Sequence, residues 1–116
     1  MTVPSTEEQR RRLVGERERT RLQIESLQRT FDSFVEASED VATDDEHDPE
    51  GHTIAFERQQ VAALLRDAVV LLGRLDGAFE QLDRGDYGSC MSCGGPIGSE
   101  RLEALPATQT CISCAV

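Results

Sequence analysis

Thr43-Asp44-Asp45-Glu46-His47-Asp48-Pro49-Glu50-Gly51 divides the chain into two long segments that carry the same apolar repeat. These nine positions hold five carboxylates, no arginine, one proline and one glycine. Proline and glycine are the residues that disfavour a helix interior most. Asp48 and Pro49 suit the N-cap and the first position of a new helix. The stretch therefore predicts an exposed turn between two helices.

The apolar repeat on both sides of this turn has a period of seven residues. Before the turn it runs through Leu13, Thr20, Leu27, Phe34 and Val41, with Ile24 and Phe31 between them. After the turn it runs through Ile54, Val61, Ala68, Leu75 and Leu82, with Leu65, Leu72 and Phe79 between them. Alternating spacings of three and four are typical of a coiled-coil seam.

The two seams span 29 positions each, from 13 to 41 and from 54 to 82. Antiparallel partners must match in length, so we predict an all-α fold in which a long antiparallel coiled-coil hairpin spans residues 5–84 with its tip at 43–51. Ser5 and Glu8 form a capping box for the first helix, and Gly85 is a suitable stop for the second. A closed hairpin favours a monomer. A parallel coiled-coil dimer through either helix is the alternative.

Four cysteines form two pairs near the end of the chain, Cys90-x2-Cys93 and Cys111-x2-Cys114. Two such pairs at this separation are typical of a four-thiolate zinc site, and two residues between thiols let one tight turn present both sulfurs to a metal. We predict one structural Zn²⁺ in a small zinc-finger module over residues 85–116, with a short helix in 99–104. Four protein ligands leave no open position for catalysis. A thiol redox switch is the alternative and is compatible with zinc binding.

The charge of the chain argues against several functions. Its net charge is −10, and residues 42–53 contribute five acids and no base to it. Phosphate backbones repel such a protein, so we predict no sequence-specific nucleic-acid binding. No stretch has the roughly 20 apolar residues of a membrane span, and no export signal is evident, so we predict a cytoplasmic protein. No catalytic triad or phosphate-binding glycine loop is arguable, which predicts a protein that is not an enzyme.

The region around the cysteines resembles the DksA/TraR zinc-finger family. The resemblance rests on the pattern Gly85-Asp86-Tyr87-Gly88-x-Cys90-x2-Cys93-Gly94-x2-Ile97-x3-Arg101-Leu102-Glu103-Ala104-x-Pro106-x4-Cys111-x2-Cys114, preceded by a helical hairpin. It implies a transcription regulator that binds bacterial RNA polymerase and inserts an acidic coiled-coil tip into the secondary channel, without contacting DNA specifically. The residues it places at that tip are Asp44, Asp45, Glu46, Asp48 and Glu50.

The chain departs from the family pattern at several of these positions. Asp45 and Asp48 keep the family's acid spacing, but Glu50 stands where the best-studied tips carry alanine, and a count back from Cys90 shifts the register by two residues. Members that respond to ppGpp carry basic residues where this chain has Leu105 and Ala115. A third basic position is kept as Arg74, a possible contact to ppGpp or to polymerase. The resemblance therefore implies weak ppGpp binding or none.

Two further functions fit the same residues. An acidic tip of this kind could support Mg²⁺-dependent transcript cleavage by the polymerase, since oxygen ligands suit Mg²⁺. A zinc-capped coiled coil could also be an adaptor for a partner other than polymerase.

Overall fold

The computed structural model describes residues 5–40 and 49–115, and it is built from helices. The first helix, α1, spans Thr6–Asp40, the second, α2, spans Pro49–Arg84, and the short α3 spans Ser99–Ala104. Within the described residues the only β pairing is an isolated bridge between Ser89 and Pro96. The predicted fold class is confirmed: two long helices pack together and a cluster of four cysteines follows them. In the part of the chain that the structure describes, no helix is long and apolar enough to cross a lipid bilayer.

Ser5 caps the start of α1 and Gly85 ends α2, as the sequence predicts. The Glu8 amide donates a hydrogen bond to the Ser5 hydroxyl over 3.2 Å, which caps the start of α1. At the end of α2, Gly85 adopts φ of 84°, a conformation that favours glycine. The Gly85 amide then donates to the Leu82 carbonyl and the Asp86 amide to the Gln81 carbonyl, which is the Schellman arrangement. The predicted N-cap of α2, Asp48, lies outside the described residues.

The chain divides into two compact units, and both long helices contribute to each. The first unit consists of Met1–Thr20 and Leu71–Val116. Its core is a cluster of five buried side chains: Leu13 from α1, Leu75, Ala78 and Leu82 from α2, and Ala107 from the cysteine module. Because one module residue belongs to this cluster, the module packs against the two helices within this unit, and a second cluster of Cys90, Ile97 and Cys111 lies inside the module.

Contacts inside the first unit establish that the two helices run antiparallel there. Arg10 forms an ion pair with Asp83 over 2.7 Å. Two turns further along α1, the guanidinium of Arg17 lies 4.5 Å from the centre of the Phe79 ring, within the range of a cation–π contact. The partner on α2 moves backwards as α1 moves forwards, as an antiparallel pair requires.

The second unit is Arg21–Val70. Its predicted seam positions are shielded from solvent: Ile24, Leu27, Phe31, Phe34, Ile54, Val61 and Leu65 are half-buried, and Ala68 is buried. The seam in the first unit is more tightly enclosed, with Leu13 and Thr20 buried on α1. Thr20 is a polar seam residue, and its hydroxyl donates to the Glu16 carbonyl over 2.8 Å, so its burial leaves no unpaired group. Val41, the last predicted seam residue of α1, lies outside the described residues.

Candidate metal centre

The structure brings the four cysteine sulfurs together. The Sγ atoms of Cys90, Cys93, Cys111 and Cys114 all lie within 4.8 Å of one another. Cys90 and Cys111, the first member of each pair, are buried, whereas Cys93 is exposed and Cys114 is intermediate. Cys90 and Cys114, the first and last of the four, are 24 positions apart in the sequence and yet belong to one cluster. The predicted metal site is present as a geometric arrangement.

A tight hairpin of backbone presents the first cysteine pair. The Ile97 amide donates to the Gly88 carbonyl and the Cys90 amide to the Gly95 carbonyl, each over 2.8 Å. Inside this hairpin the Gly94 amide donates back to the Cys90 carbonyl over 2.9 Å. Gly94 has φ of 74°, which explains why glycine follows Cys93 in the sequence.

The second cysteine pair is presented by a similar turn. The Cys114 and Ala115 amides both donate to the Cys111 carbonyl, over 3.1 and 3.0 Å. The residue after each pair therefore folds back on the first cysteine of its own pair. Both turns expose a large apolar side chain as the residue after the first cysteine, Met91 in one and Ile112 in the other.

The donor set and the spacing fit one zinc ion. Cysteine sulfurs bind zinc at about 2.3 Å in tetrahedral sites, so two of them lie about 3.8 Å apart along an edge of the tetrahedron. The Cys93 and Cys111 sulfurs are 3.8 Å apart, and they come from different pairs. The four cysteines are thus positioned to bind one metal ion.

The thiols of the cluster influence one another's protonation. The pKa of Cys90 is lowered to about 6, because the backbone amides of Cys111 and then of Cys93 donate hydrogen bonds to its sulfur. The pKa of Cys114 is raised to about 12, because its thiol hydrogen-bonds to the sulfurs of Cys111, Cys90 and Cys93. Zinc binds cysteine as the thiolate, so a divalent cation bound by these four residues would replace their thiol protons.

Tyr87 connects the module to the helices. Its ring packs against the core of the first unit, and its hydroxyl donates to the Pro106 carbonyl over 2.8 Å. Burial raises the pKa of Tyr87, and the positive charge of Arg12 opposes this only in part. Tyr87 therefore holds the segment before the second cysteine pair against the helices.

The three positions that the family resemblance associates with ppGpp line one cavity. Arg74, Leu105 and Ala115 all line a cavity of about 600 Å³ beside α3. Leu71, Leu75 and Ala107 contribute to its apolar wall, and Arg101 and Glu16 also line it. Arg74 is exposed and, among the described residues, forms no ion pair. Arg74, the residue predicted to contact ppGpp or polymerase, thus lines this cavity together with the apolar Leu105 and Ala115.

Most of the predicted acidic tip lies outside the residues that the structure describes. Asp44, Asp45, Glu46 and Asp48 fall outside the described residues, and of Glu50 only its place in α2 is described. The tip assignment therefore stays a prediction.

Sequence reasoning missed the role of one residue near the metal site. Arg101 stands out in the sequence only as part of the family pattern, but its side chain contacts the segment that leads into Cys111. An arginine in the short helix between the two cysteine pairs, followed by an uncharged Thr-Gln-Thr segment, was the available signal.

Comparison with known proteins agrees with this geometry. A family model described as the prokaryotic dksA/traR C4-type zinc finger matches residues 85–116. The RNA polymerase-binding transcription factor DksA of Haemophilus influenzae is 41% identical over 44 residues, which are 38% of this chain and 30% of that protein. Its counterpart in Escherichia coli K12 is 39% identical over 44 residues, 38% of this chain and 29% of that protein. The chain thus spans about 30% of the length of the curated relatives it matches.

A solved structure extends the likeness over most of the chain. The structure of transcription factor DksA2 from Pseudomonas aeruginosa matches with a TM-score of 0.53 and 30% sequence identity. The match covers 87% of this chain and 78% of that one. The similarity therefore includes the long helices as well as the cysteine module.

Proposed function

Because the chain belongs to the DksA/TraR family of zinc-finger proteins, we propose that it is a non-catalytic transcription regulator that binds bacterial RNA polymerase directly. The observation that carries this proposal is the likeness to transcription factor DksA2 over 87% of the chain at 30% identity. The shorter matches are to proteins named as RNA polymerase-binding factors. A polymerase partner also implies that the protein acts in the cytoplasm, and the closed hairpin supports a monomer.

In this proposal the hairpin enters the secondary channel with its acidic turn leading. The helices α1 and α2 have 35 and 36 residues, so each is about 50 Å long at a rise of about 1.5 Å per residue. Five carboxylates lie between positions 43 and 51, with no arginine or lysine among them. Carboxylates delivered near a polymerase active site can act on Mg²⁺ or on basic mobile elements. Their effect is on the stability of promoter complexes, and DNA is not contacted specifically.

The cysteine module has a structural part in this function. The residues that would hold the metal are Cys90, Cys93, Cys111 and Cys114, and Zn²⁺ would supply a fixed cross-link between the two turns that present them. Four sulfur ligands leave no position for a substrate or a water molecule. The module shares the core of Leu13 and Leu75 through Ala107. A loaded site therefore stabilises the packed helices that carry the tip.

Arg74 is the residue that we assign to contact with polymerase. It is exposed on α2 beside the apolar Leu105 and Ala115, and no described acid forms an ion pair with it. A highly charged nucleotide such as ppGpp needs several cations around its phosphates. The cavity beside Arg74 offers only one other guanidinium, that of Arg101, together with the carboxylate of Glu16. We therefore expect ppGpp to bind weakly or not at all at this place.

The test of this proposal separates binding from effect. Replacing Asp45→Asn and Asp48→Asn together removes two charges from the tip and leaves the seam and the module unchanged. We expect this variant to bind core polymerase like the unaltered protein and to lose its effect on the lifetime of promoter complexes. The matched control is Asp67→Asn with Asp76→Asn, two exposed acids of α2, which should keep the full effect.

Two outcomes would contradict the proposal. A tip variant that regulates as well as the control shows that the acidic turn is not the acting element. Stimulated Mg²⁺-dependent cleavage of the transcript in stalled complexes, lost in the tip variant, would instead support the cleavage-factor alternative. Each outcome is read with purified polymerase and zinc-loaded protein.

A further inference from the structure

A three-residue segment, Thr108-Gln109-Thr110, leads directly into the second cysteine pair and is held from several sides. The Gln109 carbonyl accepts a hydrogen bond from the Met91 amide over 2.8 Å, next to Cys90. The Gln109 side chain lies close to α2, where a β-carbon on Gly77 would be 3.3 Å from its Nε2 atom. The segment therefore bridges the first cysteine turn and the second long helix.

Arg101 makes two side-chain contacts with this segment. Its Nε donates to the Thr110 carbonyl over 3.0 Å, and a terminal nitrogen donates to the Thr108 hydroxyl over 3.5 Å. The Thr108 hydroxyl in turn donates to the Thr110 carbonyl over 3.3 Å. One guanidinium thus fixes both ends of the segment, and it does so from a partly buried position, where hydrogen bonds to charged donors are stronger than neutral ones.

The carbonyl that Arg101 holds belongs to the peptide unit between Thr110 and Cys111. A peptide unit is planar, and in the trans form its N–H points away from its C=O. The N–H of this unit is the Cys111 amide, so the orientation of the Thr110 carbonyl also sets the direction in which the backbone enters Cys111. By holding the Thr110 carbonyl, Arg101 therefore fixes the plane of the peptide unit that leads into a metal ligand.

We propose that Arg101 is a positioning residue of the metal site: it holds the peptide unit before Cys111 so that the second cysteine pair faces the first, and it thereby slows the loss of metal. Of the other contacts of the segment, those with Met91 and Gly77 act on Gln109, and the Thr108 amide donates to the Leu105 carbonyl over 3.1 Å. Within the described residues, the Thr110 carbonyl of the peptide unit that enters Cys111 accepts hydrogen bonds from the side chains of Arg101 and Thr108. In other proteins, mutation of a residue that hydrogen-bonds to a metal ligand and orients it typically lowers metal affinity by about 10- to 100-fold.

The experiment compares variants of the full-length, zinc-loaded protein and needs no polymerase. Arg101→Gln removes the charge and the forked donor group, and Arg101→Lys keeps a charged donor but no fork. Arg84→Gln is the matched control, because Arg84 is an exposed arginine whose ion pair is with Asp86, outside the segment. Zinc transfer to a chromogenic chelator is followed by absorbance, and circular dichroism checks that each variant remains helical.

We expect Arg101→Gln to release zinc about tenfold faster than the unaltered protein. Arg101→Lys should restore part of the difference, and Arg84→Gln should not change the rate. Thr108→Val removes the second contact without touching the charge, and it should accelerate release in the same direction but less. This variant tests the proposal even where Arg101→Gln does not fold.

A second readout distinguishes positioning from general loosening. During zinc release, cysteines are pulsed with N-ethylmaleimide and the modified residues are identified by mass spectrometry. The proposal predicts that Arg101→Gln and Thr108→Val increase the rate at which Cys111 and Cys114 are modified more than the rate at which Cys90 and Cys93 are modified. Equal acceleration at all four cysteines, or release as slow as in Arg84→Gln, would overturn it. Neither outcome depends on whether the protein binds polymerase.

Discussion

Truncation of Leu75 to alanine tests the claim that one core joins the helices and the cysteine module. Leu75 is 1% exposed and belongs to the cluster that includes Leu13 from α1 and Ala107 from the module. Leu64, on the same helix, is 51% exposed and provides a matched control with the same change in side-chain chemistry. The two variants differ only in how much packing the lost side chain supplies.

The expected cost follows from this difference in burial. Replacing a fully buried leucine by alanine removes its transfer free energy and leaves a cavity, at a cost of about 3 to 4 kcal/mol. Leu64 already exposes half of its surface and leaves no enclosed cavity, so its truncation should cost less than about 1 kcal/mol. A domain of this size is stabilised by roughly 5–15 kcal/mol, so Leu75→Ala removes a large fraction of the total.

The assay is urea unfolding of the zinc-loaded protein, followed by circular dichroism at about 222 nm. With a slope of about 1.5 kcal/mol per molar urea, Leu75→Ala should lower the midpoint by about 2 M and Leu64→Ala by less than about 0.7 M. Leu75→Ala should also release zinc faster, because Ala107 loses a core neighbour. Equal midpoint shifts in the two variants would refute the reasoning, since burial would then not determine the cost.

Three further predictions follow from single features of the structure. Gly73→Ala should stabilise the protein by about 0.5–1 kcal/mol in thermal unfolding, because a β-carbon at this exposed helical position meets no atom within 4 Å. Gly77→Ala should gain less stability, because a β-carbon there would lie 3.3 Å from Nε2 of Gln109. Tyr87 is the only tyrosine in the chain, so the near-ultraviolet absorbance of the protein reports the ionisation of this residue. Because the pKa of Tyr87 is raised, we expect a titration midpoint above pH 10. The contribution of Tyr87 to stability should be complete below pH 10 and should be lost as the pH rises through that midpoint. A midpoint at or below 10 would contradict the burial of its ring. Removal of zinc by a chelator should lower the unfolding temperature of the long helices as well as that of the module, and an unchanged helical transition would show that the shared core does not couple them.

The fold was largely readable from the sequence because its determinants are local and periodic. The seven-residue repeat identified the residues that are buried or half-buried in α1 and α2, and Pro49 and Gly85 fixed two helix ends. Leu64 and Leu71 are seven residues apart on α2, next to the seam positions, so the apolar repeat places them on the same face of the helix and predicts the same role for both. Only packing separates them, because Leu71 contacts the core that contains Ala107, whereas Leu64 stays half exposed.

The metal centre was predictable in its ligands and not in its supports. The Cys-x2-Cys spacing identifies the four sulfurs because the geometry of a tight turn is encoded over four residues. The contacts of Arg101 with Thr108 and Thr110 arise from the path of the loop between the pairs, and no spacing rule encodes that path. The cavity beside Arg74 likewise depends on how α3 lies against α2. The acidic tip and the domain boundary between residues 84 and 85 stay predictions.

The most direct test of the central proposal is binding of the zinc-loaded protein to purified core RNA polymerase, with a known secondary-channel factor as competitor. The proposal predicts saturable binding that the competitor displaces and that Arg74→Ala weakens. Binding that the competitor leaves unchanged would contradict insertion into the channel and indicate another polymerase surface. No binding at all would contradict the regulator proposal and support an adaptor with a different partner.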